Sequence, residues 1–318
     1  MADPFALLPL ELFLLIIDIA ISAFIVEDRP ALGLLAQTSK EIYDRVVPAL
    51  YHTIVRLRSS NWVLGHPLSA DETALLAARV LSHTRSLHLF DSSLKDGDAA
   101  LLRGISNIRA PLYLVKAIAA DADEQDADAG IPPSAASSCS IRRIHLETAP
   151  YHRIVEISVR ARANLTHICG NASNSSSAFE YGLFKHNPGE WMRAIMAALP
   201  NLTHVGFDII YLSEFPSDIV IVNEEWDVGA FERAMETALS YQQLNVVAVR
   251  VTGGFLLRWD DIISMLCRVA GSDRRLQAWK DDRGVNEWHE EDERMALDAY
   301  QGRSIWTMVR PVQDFDVQ

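Results

Sequence analysis

The chain is poor in cysteine, and that shortage limits its class. Cys139, Cys169 and Cys267 lie far apart in 318 residues and form no Cys-x-x-Cys pair. This spacing excludes a disulfide framework and zinc-finger ligation, and scattered free thiols suit a reducing compartment. We therefore expect a cytoplasmic or nuclear location. Four Asn-x-Ser/Thr sequences match the N-glycosylation acceptor pattern and would favour a secreted protein, but the pattern is short and common by chance. They begin at Asn164, Asn171, Asn174 and Asn201.

Runs of basic residues are also missing. The net charge is −13, and no cluster of Lys and Arg stands out from that acidic background. Binding to nucleic acid without sequence preference depends on cations that neutralise phosphates. An acidic surface is likewise repelled by anionic lipid. We expect neither nucleic acid nor a membrane among the partners.

Catalytic signatures are absent as well. The sequence contains no GxSxG, HExxH, GxxxxGK[ST] or GxGxxG motif. Gly253-Gly254 lacks the third glycine and the lysine of a phosphate cradle. The run His289-Glu-Glu-Asp-Glu points around a helix instead of converging on a metal. The sequence therefore predicts a protein that is not an enzyme and needs no cofactor or metal.

Residues 5–26 are the most hydrophobic stretch of the chain. The stretch has no preceding basic region, as a signal peptide would, and it contains Glu11 and Asp18, which a membrane span tolerates poorly. It therefore predicts a helix of the folded protein that begins near Pro9. Because this helix is apolar on most faces, it must be covered on two sides. The second cover is either a partner or the rest of its own chain.

Two shorter helices follow. Residues 30–37 form the first. A Thr38-x-x-Glu41 capping box predicts the start of the second, which Pro48 stops or kinks.

The N-terminal motifs resemble an F-box of the type found in large fungal families. They are Leu8-Pro9-x-Glu11-Leu12, Ile16-Ile17, Leu34-Leu35-x-x-Thr38-Ser39-Lys40 and Val46-Val47-Pro48-x-Leu50-Tyr51. The resemblance covers residues 1–52. Where many F-boxes carry Cys-Arg-x-Trp, this chain has residues 38–43, Thr-Ser-Lys-Glu-Ile-Tyr.

The resemblance implies a three-helix unit that docks on a Skp-type adaptor of a cullin ubiquitin ligase. In that family, the rest of the chain selects the protein to be ubiquitinated. The implied adaptor-binding residues are Leu8, Pro9, Glu11, Leu12, Ile16, Leu34, Leu35 and Val46.

Downstream, the pattern L-x-x-L-x-L recurs, with other aliphatic residues or Phe allowed. It begins at Ile141, Leu202 and Leu244, and partial copies occur at Ser86, Leu165 and Pro111. Amphipathic helices are predicted over residues 71–82, 188–199, 228–241 and 259–270. Strands that alternate with helices predict an α/β fold with a parallel sheet over residues 53–318. The repeats resemble an irregular leucine-rich-repeat solenoid. An ordinary α/β domain is the alternative.

In the repeat register, the aliphatic residues face the core and the residues between them share the open side of the sheet. This side is predicted to bind a target protein through Ser86, His88, Arg143, His145, His167, Cys169 and His204. Arg143, His167 and His204 hold the same repeat position and should stack side by side. A zinc-dependent hydrolase built on these histidines is a weaker hypothesis, because the spacing fits no known ligand signature.

Three further segments complete the predictions. Residues 119–138 combine five acidic residues with Pro-Pro and small polar residues, so we expect a disordered insertion. Residues 274–294 are expected to cap the last repeat. Residues 305–309 are expected to form a terminal strand or a docking piece.

The sequence thus predicts a substrate-recognition subunit of a cullin-type ligase. Its partners would be a Skp-type adaptor and an unidentified target. The alternative is a protein-binding scaffold of the same fold without a ligase, in which residues 1–52 cap the repeats.

Overall fold

A computed structural model describes residues 9–27, 29–56, 82–89, 102, 104–132, 137–146, 151–171, 188–210, 228–252, 259–281, 298–299 and 303–315. The predicted helix over 71–82 lies outside these residues except for its last position. The apolar residues 219–222, whose sequence favours a strand or a buried edge, lie outside them entirely. In the described chain, no helix combines the length and the apolar character needed to cross a bilayer.

Three helices form the N-terminal part: α1 (Leu10–Glu27), α2 (Arg29–Ala36) and α3 (Lys40–Tyr51). They enclose a small hydrophobic cluster of their own, separate from the main core. Its buried members are Ile17, Ile21, Leu32, Ala36, Ile42 and Val46. This part of the chain therefore does not depend on the sheet to bury its own apolar residues.

The start of α3 differs from the predicted capping box by one residue. Ser39 has an extended backbone and is the N-cap, and its hydroxyl accepts a hydrogen bond from the Ile42 amide at 3.2 Å. Thr38 instead donates its hydroxyl hydrogen to the Leu35 carbonyl at 2.7 Å. The helix also runs through Pro48 to Tyr51, so the proline does not end it.

The remaining chain forms one sheet in which strands lie in chain order. The strands are β1 (Thr53–Arg56), β2 (Ser86–Leu89), β3 (Asn107–Arg109), β4 (Arg143–Leu146), β5 (His167–Asn171), β6 (His204–Ile210), β7 (Val246–Thr252), β8 (Leu276–Asp281) and β9 (Arg310–Pro311). Strands β1 to β8 pair in parallel, and β9 is antiparallel to β8. The predicted α/β class with a parallel sheet is confirmed.

Helices connect the strands. They are α4 (Leu112–Asp128), α5 (Val159–Asn164), α6 (Pro188–Ala198), α7 (Val228–Leu239), α8 (Trp259–Ala270) and α9 (Ile305–Met308), with short 3₁₀ turns at Tyr151–Glu156 and Val312–Asp314. Right-handed crossovers that always step to the next strand place their helices on one face of a sheet, and α4 to α8 share such a face. The main core lies there. In it, Phe207 of β6 and Phe231 of α7 pack edge to face at 5.9 Å.

The acidic stretch is folded, which corrects the disordered insertion expected at 119–138. Residues 112–128 form α4, so the partial repeat at Leu112 is a helix start and not a strand. Ala119 and Ala122 face the core, Glu124 and Asp128 are exposed, and Asp121 and Asp123 are half-buried. Asp126 is buried, but it accepts a hydrogen bond from the Ser138 amide and pairs with Arg160, each at 2.9 Å. The amino-acid composition alone does not reveal the helical spacing of the buried residues.

The segment expected to cap the last repeat begins with a strand. Trp279 lies within β8, where Lys280 is exposed, Gln277 is half-buried and the other residues are buried. Residues 282–297, which include the rest of the predicted cap, lie outside the described chain.

Replacing Phe207 by Ala should lower the free energy of unfolding by about 3–5 kcal/mol, because the side chain is fully buried against Phe231. Chemical denaturation measures this change. The control is Val159→Ala, at a side chain that is 72% exposed, which should change stability by less than about 0.5 kcal/mol. Equal effects at the two positions would contradict the position of the core.

Candidate functional site

The side of the sheet opposite the main core carries three rows of side chains, and we call it the polar face. The first row contains Ser86, Asn107, Arg143, His167 and His204. The second contains His88, Arg109, His145, Cys169, Gly206 and Ala248. The third contains Asp208, Arg250 and Trp279. All seven predicted target-binding residues lie in the first two rows, and Arg143, His167 and His204 are side by side as the register predicts.

The His167 and His204 rings stack on each other. Their centroids are 3.9 Å apart with 12° between the planes. The hydroxyls of Thr166 and Thr203 each lie 2.8 Å from Nδ1 of the histidine that follows them. Each threonine therefore fixes the orientation of its neighbouring ring.

A four-residue unit, Asn-Leu-Thr-His, builds this stack twice, ending at His167 and at His204. In each copy the leucine is buried and the asparagine amide donates to an earlier carbonyl: Asn164 to Cys139 at 2.9 Å, and Asn201 to Ala163 at 2.7 Å. Both asparagines begin glycosylation-type sequences. Their amides serve as structural hydrogen-bond donors, which the acceptor pattern alone did not suggest.

Helix α9 and Val309 lie on the polar face. Helix α9 places Ile305 against Cys169 and Ala248. Trp306 meets the His167 ring edge-on at 5.1 Å and the His204 ring at 5.8 Å. The expected docking piece at residues 305–309 is therefore a short helix, and the terminal strand β9 follows it at Arg310.

Helix α9 covers Cys169. The prediction that Cys169 contacts a target is wrong, because its side chain is only 1% exposed. Burial, and then the nearby Asp208, raise the pKa of its thiol well above the ordinary value, so the group stays protonated and unreactive. Ser86 is also buried, and its hydroxyl lies 3.1 Å from Nε2 of His88.

Beside the docked helix, a cavity of about 730 Å³ remains on the polar face. His88, Arg109 and His145 occupy neighbouring positions on β2, β3 and β4 and line it. Burial, followed by the charge of Arg109, lowers the pKa of His88 to about 3. Burial, then Arg109, Arg250 and His88, lower the pKa of His145 well below its ordinary value. Both imidazoles are therefore neutral at physiological pH.

A buried charge cluster lies at the next level of the sheet. Arg250 is 4% exposed and donates to Asp208 at 3.1 Å and to Asp281 at 3.0 Å, and its guanidinium lies 4.6 Å from the centroid of the Trp279 ring. His145 Nε2 is 3.6 Å from Asp208, but because the imidazole is neutral this is not an ion pair. The available signal was a single charged residue between apolar residues of a strand, as in Phe207-Asp208-Ile209 and Val249-Arg250-Val251.

The predicted adaptor-binding residues differ in their exposure to solvent. Pro9, Glu11, Leu12, Ile16 and Leu34 are exposed. Leu35 is half-buried against the N-terminal cluster, and Leu8 lies outside the described residues. Val46 is fully buried in that cluster, so its prediction as a contact residue is wrong: its aliphatic side chain faces α1 and α2.

Within the described ranges, no group of three or more His, Cys, Asp or Glu side chains is placed to hold a metal ion. Comparisons of the chain with protein-family models, with curated proteins and with solved structures found no match.

Replacing Gly206 by Ala should loosen the docked helix, because a Cβ there would lie 2.9 Å from Trp306 and 3.1 Å from the Cys169 sulfur. Such overpacking costs about 1–3 kcal/mol. Amide hydrogen exchange over residues 303–309 should accelerate. Gly33→Ala is the control, since nothing lies within 4 Å of its added Cβ. Unchanged exchange in the Gly206 variant would show that α9 is not seated on this strand.

Stability should fall as the pH drops below the ordinary histidine pKa of 6.5. Burial, His204 and Arg143 lower the pKa of His167 to about 3, and burial and Arg143 lower that of His204. Between these values the unfolded chain binds more protons than the folded chain, so the stabilisation is complete above pH 6.5 and declines toward pH 3.

Unfolding midpoints between about pH 5 and pH 8 measure this effect, away from most carboxylate titration. The double variant His167→Gln/His204→Gln should show a shallower pH slope than the parent. Val155→Gln/Val159→Gln, at two exposed positions that carry no titratable group, should retain the parent slope. If all three slopes agree, the stacked pair contributes nothing to the linkage.

Proposed function

We propose that this protein is the substrate-recognition subunit of a cullin-type ubiquitin ligase. Its N-terminal helices would bind a Skp-type adaptor, and the polar face would bind the target. The mechanism is proximity, since holding both partners raises the effective concentration of target lysines near the conjugating enzyme. The observation that carries the proposal is the apolar surface of α1.

That surface is concentrated at one place. Eleven large apolar side chains of the described residues are exposed, and six of them lie on α1. They are Leu10, Leu12, Leu15, Ile16, Ile19 and Phe24, and Leu34 on α2 is a seventh nearby in sequence. Exposed apolar patches of this kind are rare on monomeric proteins and mark sites of association. The α1 surface therefore needs a partner that its own described chain does not supply.

The identity of that partner rests on the resemblance. Pro9, Glu11 and Leu12 of the Leu-Pro-x-Glu-Leu motif stand at the start of α1, and all three are exposed. On the inner side of the helix, Ile17 and Ile21 are buried, and Asp18 pairs with Arg45 of α3 at 2.6 Å. These inner contacts hold the three helices together and leave the motif side available to the adaptor.

The sheet supports the second half of the proposal. Parallel strands in strict chain order, with Leu-x-x-Leu-x-Leu residues in the core, are what a leucine-rich-repeat-like receptor requires. The polar face adds arginines, imidazoles and tryptophans within one surface, and arginine and tryptophan are enriched at protein contacts.

A scaffold without a ligase is the alternative, and one observation favours it. The His52 carbonyl at the end of α3 accepts hydrogen bonds from the amides of Arg85 and Ser86, at 2.9 and 3.0 Å. Thr84 also donates to the Tyr51 carbonyl at 3.0 Å. The helices are thus joined to the first strands in the way a terminal cap would be.

Adaptor binding separates the two functions. The full chain, co-expressed with a Skp-type adaptor, should form a complex that survives size-exclusion chromatography. Leu12→Asp/Ile16→Asp should weaken that complex at least about a hundredfold, because it places two charges in an apolar contact. Both side chains are about half exposed, so the variant should keep its fold.

The matched control is Val155→Asp/Val159→Asp, which makes the same chemical change at two exposed apolar residues of another surface. It should bind the adaptor as the parent does. If the parent chain does not bind, or if both double variants bind equally well, the ligase function is refuted and the scaffold remains.

A further inference from the structure

The described lining of the cavity on the polar face contains more arginines than acidic residues, although the chain has a net charge of −13. Its described lining contains five arginines but only two aspartates. The arginines are Arg45, Arg109, Arg143, Arg250 and Arg303, and the aspartates are Asp208 and Asp298. A cleft in which one sign of charge predominates concentrates ligands of the opposite sign.

These arginines are not equally available to a ligand. Arg250 is held by Asp208 and Asp281, and Arg303 pairs with Asp298 at 3.0 Å. Arg143 makes no ion pair within the described chain, and its side chain is exposed on β4. It can therefore bind an anion without breaking an existing pair.

Two imidazole nitrogens of the same cavity have unused hydrogen-bonding capacity. Nδ1 of His88 and Nε2 of His145 are buried and have no hydrogen-bond partner among the described residues. If the Ser86 hydroxyl donates to Nε2 of His88, Nδ1 of that ring carries the hydrogen and can donate to a ligand. A buried polar atom without a partner is costly, and a ligand in the cavity removes that cost.

Apolar residues from two helices also line the cavity. Pro48 and Ala49 come from α3, and Ile305 and Trp306 from α9. A volume near 730 Å³ falls within the range of about 300–1,000 Å³ typical of small-molecule sites, and their lining is usually apolar with a few polar groups.

We propose that this cavity binds a small organic anion, whose phosphate or carboxylate lies against Arg109, Arg143 and the two histidines and whose apolar body lies against Trp306 and Pro48. This ligand is distinct from the adaptor and from the target protein. The proposal goes beyond the proposed function, and it stands or falls independently of adaptor binding.

Isothermal titration of the full chain with phenyl phosphate tests the proposal, with phenylacetate as the carboxylate probe. Inorganic phosphate, which lacks the apolar body, and phenol, which lacks the charge, are the comparison ligands. At least one probe should bind at a single site with a dissociation constant on the order of 1 mM or lower. Phosphate and phenol should each bind at least roughly tenfold more weakly.

Arg143→Gln should weaken binding of the probe roughly tenfold, through loss of one charged contact. Arg268→Gln makes the same change in net charge on α8, at a side chain that is 64% exposed, and should have no effect. No binding of either probe up to roughly 10 mM, equal weakening in both variants, or phosphate binding as tight as that of the probe would each overturn the proposal.

The same two variants are also tested for adaptor binding. Loss of probe binding with the adaptor complex intact confirms that the cavity acts separately. A parent chain that binds the probe but no adaptor refutes the ligase function alone.

Discussion

Parallel pairing in chain order is the constraint on which the polar face depends. Neighbouring parallel strands lie about 4.8 Å apart, so residues at the same repeat position on successive strands become direct neighbours. This pairing brings His167 onto His204 and sets Arg109 between His88 and His145. The Asn-Leu-Thr-His units stabilise this pairing. Their asparagines and threonines donate hydrogen bonds to carbonyls of the residues that lead into the preceding strand. The arrangement of side chains on the polar face therefore depends on the strand register more than on individual side-chain contacts.

Much of this arrangement could be predicted from periodicity. Alternation in Leu202-x-x-Val205-x-Phe207 identified both the core side and the polar side of β6, and helix α8 was predicted with the bounds that the structure has. These predictions succeed because burial follows a period of two in strands and 3.6 in helices. The exposure of Leu12 and Ile16 decides between two alternatives that the sequence leaves open, since a helix apolar on most faces is covered either by a partner or by its own chain.

The predictions that failed concern residues whose surroundings are set by contacts between distant segments. The alternation of residues in β5 places Cys169 on the open face of the sheet. Helix α9, which lies more than a hundred residues further along the chain, covers it there. Helix α4 has an acidic composition, yet a few alanines and one paired aspartate give it an inner face. Val46 fits the family pattern, and only the packing of three helices shows that it is internal. The cluster around Arg250 joins three strands, and only the strand register brings its charges together.

The antiparallel strand β9 affects how copies of the chain can meet. An open sheet ends in unpaired amides and carbonyls, and another strand can add to such an edge. Here the strand beside β8 has only two residues, and one of them, Pro311, has no amide hydrogen to offer. Along Gln277 and Ala278 the molecule therefore presents little backbone on which a neighbouring molecule could continue the sheet. A two-residue strand thus blocks part of the β8 edge against pairing with another molecule.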